Sequence, residues 1–145
     1  MRVITQLLHL AGPLKSGFHL KIENPPWQDL VIEDIQQRGP SRFPAISVAH
    51  YGKQNGDLMR DPEMLFETQG FGQEINLKPY YFRNDYAGVE QYSVWREGEQ
   101  LMTNLQLLRE HEGFARLWDS NLEQQGFIAA YQRSRRSTGT RDEQP

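Results

Sequence analysis

The chain has no cysteine among its 145 residues. Disulfide bonds and thiolate metal sites are therefore excluded. It also lacks long apolar runs. Nothing approaches the roughly 20 residues that a membrane helix needs, and the mean hydropathy is −0.74. The one apolar stretch near the start, within MRVITQLLHLAGPLKSG, is interrupted by Thr5, Gln6 and His9. Its spacing is helical, so it reads as an amphipathic helix of a cytoplasmic protein rather than a signal peptide, and no membrane partner is expected. An excess of positive charge is missing as well: the net charge is −3. Residues 132–145 hold Arg133, Arg135, Arg136 and Arg141 against Asp142 and Glu143, a net of +2, which leaves −5 on residues 1–131. An acidic body argues against broad nonspecific DNA binding, which requires a basic face to neutralise phosphates. There is no internal repeat, phosphate loop, nucleophile elbow, zinc cluster or dinucleotide fingerprint, so no cofactor is expected.

What is present fits one domain with one core. Apolar residues make up 37% of the chain and aromatics 11%. Residues 2–11 read as a helix stopped by Gly12 and Pro13. Phe18, Leu20 and Ile22 alternate with His19, Lys21 and Glu23 as in a strand, which Asn24-Pro25-Pro26 ends. Further strands are expected around Leu30–Ile35, 46–51, 64–68, 75–82 (interrupted by Pro79) and 89–95, with a Gly-rich turn at 70–72. After Gly98 the period changes, and Leu101, Leu105 and Leu108 share one helical face, repeated by Phe114, Leu117, Trp118 and Leu122. Gly113 is a position to bend or split that helix, and Gly126 a position to cap it. Strands adjacent in sequence between helices predict an α+β domain over 1–131. Its sheet is mostly antiparallel, of about five to six strands, with an N-terminal helix and C-terminal helices on one face. Residues 132–145 have no apolar side chain and read as a disordered basic tail.

One run is dense in chemistry: HYGKQNGDLMRDPEM, residues 50–64. Asn55-Gly56 is a strong hairpin signal because both positions accept φ > 0. Asp57 can bond the turn backbone, and Asp61-Pro62 can start a second turn. On that reading the run is a long polar connection between strands 46–51 and 64–68. The same residues also offer metal-ligand types: His50, Asp57, Asp61 and Glu63 suit a hard or borderline cation. Their spacing matches neither an EF-hand loop nor an H-E-x-x-H helix. Proton transfer by His50 with Asp57 or Glu63 is the catalytic counterpart. A third use is recognition. Tyr51, Lys53, Asn55, Asp57, Met59, Arg60 and Asp61, together with Tyr81, Arg83, Asn84, Asp85 and Tyr86 of the aromatic-rich segment 79–86, combine aromatic and arginine character in the manner of protein interfaces or base-stacking surfaces. The structural alternative there is that Tyr80, Phe82 and Tyr92 fill a core. The carboxylates Glu23, Asp29, Glu33 and Asp34 on neighbouring strands read as exposed strand positions.

The 50–64 run resembles the signature of a family of uncharacterised domains from conjugative plasmids, integrative elements and phages. LKIENPPWQDLVIE and PYYFRNDYAGVEQ resemble the flanking phrases of that family, so the likeness spans residues 14–95. It implies a mobile-element setting, sometimes as one module beside anti-restriction or conjugation domains, and carries over no catalytic residue. Gly52 and Lys53 depart from it, standing where an aromatic and an acid are expected. The combined reading is a non-enzymatic interaction module that binds a protein or protein–nucleic-acid assembly. The alternative is a small metal-dependent hydrolase or nuclease built on the His50 to Glu63 cluster. Nucleic acid is a candidate partner through the tail arginines.

Overall fold

The computed structural model describes residues 1–70 and 74–142, with side chains up to residue 136. The amphipathic start forms α1, Arg2–Ala11, which buries Val3, Ile4, Leu7 and Leu8 on one face. Gly12, at φ 105°, ends it. Six strands follow: β1 His19–Asn24, β2 Trp27–Arg38, β3 Pro44–Gln54, β4 Asp57–Gln69, β5 Asn76–Asn84 and β6 Val89–Tyr92. They pair in sequence order as one antiparallel meander. A separate two-stranded hairpin, β7 Val94–Glu97 with β8 Gln100–Thr103, precedes helix α2, Leu105–Gln124. Helix α3, Phe127–Asp142, follows Gly126 at φ 79°.

The α+β architecture is thus the expected one, with helices on one side of the sheet. Ile22, Leu30, Ile32, Ile46, Val48, Met64 and Phe66 meet α1 together with Ala115, Trp118, Leu122, Phe127, Ala130 and Tyr131 of the later helices. The opposite face carries only a small cluster, Ala45, Tyr80 and Tyr81, with Ile35, Leu65 and Val94 packed against it. The β7–β8 hairpin lies at that end, where the Arg96 guanidinium donates to the carbonyls of Pro40 and Glu99.

Several expectations need correction. The 50–64 run is not a long connection. β3 and β4 continue through it, and the turn is Asn55-Gly56 alone, at φ 53° and 85°, the left-handed pair that a tight hairpin requires. Asp61-Pro62 is not a second turn but lies in a register shift within β4, where Ala49 pairs with Glu63 yet Tyr51 pairs with Arg60. Leu101 belongs to β8, not to the helix. α2 begins after Asn104, whose side chain accepts the Leu107 N–H at 3.0 Å, and runs unbroken past Gly113. Pro79 is tolerated beside a second register shift, between Leu65 and Phe66, that leaves Tyr80 unpaired in the ladder. The helical backbone of α3 extends to Asp142, and its residues 132–136 are exposed. The Gly-rich turn beyond Gly70 and the Arg141 side chain lie outside the described residues.

Candidate functional site: the open face of the sheet

Strand pairing puts Lys21, Val31, Ala49, Glu63, Arg83 and Glu90 in one row across the helix-free face. The next row holds Glu33, Ser47, Leu65, Tyr81 and Tyr92, and a third holds Asp29, Tyr51 and Arg60. The irregularity in β4 matters here. In an uninterrupted strand Arg60 and Glu63 would point to opposite sides; the extra residue brings both to the open face.

Asp85 is the hub of that face. One of its oxygens accepts the Arg60 backbone N–H at 2.8 Å and the Arg60 Nε–H at 3.0 Å; the other accepts the Arg83 Nε–H at 2.9 Å. The Arg60 backbone N–H, with the two guanidinium groups, holds the Asp85 carboxyl at about 2, below its ordinary 3.8. Arg83 continues to Glu90 at 3.3 Å, and Arg60 to Glu63 at 3.8 Å. Hydrogen bonds to Tyr81 and Asp85 push the Arg83 pKa further up. The Ser47 hydroxyl donates to Glu63 at 2.6 Å. Burial, then the charges of Glu63 and Glu33, push the Tyr51 phenol up. Tyr81 is buried with the Tyr92 ring edge-on at 4.8 Å, while Tyr92 itself is 51% exposed. The 50–64 run and the 79–86 segment, separate in sequence, therefore meet.

The remaining candidates lie elsewhere. His50 points to the helix side, its ring 5.5 Å from Trp118 and 5.6 Å from Phe127, with Nδ1 3.3 Å from the Asp29 carbonyl. Asp61 accepts from the side-chain amides of Gln28 at 3.1 Å and Asn84 at 3.0 Å. Asn84 in turn accepts the Ala87 N–H, and the Tyr86 hydroxyl donates to the Lys53 carbonyl at 3.3 Å. Asn55 and Asp57 are exposed at the hairpin tip. His50, Asp57, Asp61 and Glu63 thus occupy a core seam, a tip, an amide clasp and the open face. They do not converge, and among the described residues no group of three or more histidine or carboxylate side chains is placed to hold a metal ion. The catalytic set His50, Asp57 and Glu63 is separated in the same way. Of the three aromatics that the structural reading puts in a core, Tyr80 is buried and Phe82 packs against the main core, but Tyr92 is exposed and fills none.

Glu90, Tyr92 and Ser47 were not singled out as site residues by their types. Their signal is register: Glu90 and Tyr92 alternate on the same side as Arg83 and Tyr81. Gly52 also acquires a reason. A Cβ there would stand 2.5 Å from the Tyr86 hydroxyl and 2.8 Å from the Gln28 amide, so a larger side chain at this position would have to displace the ends of both.

The family model for a domain of unknown function, DUF6908, matches residues 2–128. The chain belongs to the DUF6908 family. That match takes in α1, the whole meander, the β7–β8 hairpin and α2, so the open face of this DUF6908 domain lies wholly inside the family region. No curated protein and no solved structure matches the chain. No helix among the described residues is long and apolar enough to cross a membrane.

Proposed function

We propose that this DUF6908 domain is a non-enzymatic interaction module that docks a protein partner, alone or within a protein–nucleic-acid assembly, through the open face of its sheet. The observation that carries this reading is the double clamp of Asp85 on Arg60 and Arg83. Two long side chains that would otherwise lose rotamer freedom on binding are already ordered beside exposed Tyr92 and half-buried Tyr51, which lowers the entropic cost of association. Tyrosine and arginine are the residue types that dominate interface energies. The likeness of the 50–64 run to mobile-element domains supports a setting on such an element, as an accessory that counters a host defence protein, in the manner of anti-restriction factors.

A photo-crosslinking residue at position 92, in full-length protein expressed in a bacterial host, tests the docking surface. The expected result is one protein adduct of defined mass from position 92, none from exposed position 117 on α2, and its loss when Arg83→Ala is added. Equal labelling from both positions, or none from position 92, overturns the reading.

A further inference from the structure

Three cations of the open face, Lys21, Arg60 and Arg83, are committed to carboxylates of the same face, while Lys53 and Lys78, on that face by register, lie toward its ends. Lys21 bridges Glu23 at 3.7 Å and Asp29 at 3.5 Å, Arg60 bridges Asp85 and Glu63, and Arg83 bridges Asp85 and Glu90. The carboxylates are not all committed in return. Among the described residues Glu33 has no cation at ion-pair distance. Glu63 reaches Arg60 only at 3.8 Å through one oxygen, and its other oxygen takes the Ser47 hydroxyl. These two carboxylates stand on β2 and β4, on either side of β3, over Ser47 and Ala49, which are short and fully buried beneath them. Tyr51 closes the row on β3. Burial, then the charges of Glu63 and Glu33, push its phenol up.

Resting on the docking reading above, we propose that the partner of this face is a basic protein segment, with an arginine or lysine side chain seated between Glu33 and Glu63 against Tyr51. The charge decides between classes of partner. A cation here gains two carboxylates and an aromatic ring. A nucleic-acid phosphate would meet the same carboxylates as like charges, with every nearby arginine already paired. Trp27, 47% exposed, and Tyr92 at the margins supply the apolar contact that an interface rim needs.

The test is an NMR titration of the isotope-labelled full chain with a hexa-arginine peptide at low salt, beside hexa-glutamate and a short single-stranded oligonucleotide. The arginine peptide is expected to shift the amides of Glu33, Ser47, Tyr51 and Glu63. Glu33→Gln should weaken it about fivefold, the factor that one unit charge at contact distance supplies in water. Glu97→Gln, on β7 away from the site, should leave it unchanged. The inference is overturned by absent binding, by shifts spread equally over the α2 carboxylates, by equal effects of the two variants, or by the oligonucleotide occupying this face. If the peptide fails while crosslinking from position 92 still captures a partner, the basic-segment inference falls and the docking reading stands.

Discussion

At the scale of single residues, Asp85 does more than any other side chain on the open face, because its two oxygens satisfy a backbone amide and two guanidinium groups at once. Asp85→Ala leaves those donors to water or to nothing. Since both arginines are about a third exposed, the loss is expected in the lower part of the range for an unsatisfied partner, about 1–2 kcal/mol, read from the urea midpoint. Acid should erase the difference. A carboxyl held near 2 in the folded state and near 3.8 when unfolded stabilises fully above 3.8, and that contribution fades as pH falls toward 2. The gap between the wild type and Asp85→Asn should therefore narrow over that window; a gap constant with pH would show that the carboxylate charge is not what holds the arginines. Gly39 works at the same scale by omission. A Cβ there would stand 2.2 Å from Glu67 Cγ, and the buried Glu67 carboxylate uses that space to accept the Ser41 and Phe43 amides at 3.1 and 3.0 Å.

At the scale of elements, α2 depends on a cap that its sequence announces only weakly. The Asn104 side chain satisfies one of the amides that every helix start leaves free. Asn104→Ala should cost about 1 kcal/mol in thermal or urea unfolding, and Asn104→Asp should restore most of it, because aspartate accepts the same bond. Elements with a one-sided pattern were legible beforehand. The helix expected over 2–11 coincides with α1, and the Asn55-Gly56 turn is where the dipeptide places it. What misled was polarity. β3 and β4 put lysine, arginine and carboxylates on a face that no described helix covers, and a strand with a wet side looks like turn chemistry when only its residue types are weighed. The β7–β8 hairpin was hidden for another reason: its strands have four residues each, too few for a period to show, and Leu101 happens to fall in helical phase with Leu105 and Leu108. The irregularity at Asp61-Pro62 has no periodic signature, yet it sends Arg60 and Glu63 to one face and separates them from Asp61 and His50. That the two segments combine aromatic and arginine character was readable from composition; that they lie on one face of a sheet, and which of their side chains share it, depended on register.

At the scale of the whole molecule, the sheet and the helices meet along a seam that includes two histidines. His50 packs against Trp118 and Phe127. His111, on α2, stacks on Phe82 at 5.7 Å with Nε2 3.1 Å from the Gln91 amide oxygen. Burial lowers the pKa of both below the ordinary 6.5. It outweighs, for His50, the Asp29 and Gln28 carbonyls and the charges of Asp61 and Asp29, and for His111 the charge of Glu110. The consequence runs opposite to that of a histidine that gains a carboxylate partner. The unfolded chain takes up the protons first, so the stability these rings confer is complete above 6.5 and is lost as pH falls below it. Protonation of His50 would place a cation between the sheet and both C-terminal helices, so the loss is cooperative over the entire core rather than local to one strand. The melting temperature should fall as the pH is lowered from about 7 to about 5, where histidine titrates. His50→Phe, which keeps an aromatic ring against Trp118 but has no proton to gain, should flatten that slope. An unchanged slope in the variant would assign the pH response to His111 or to groups outside the seam.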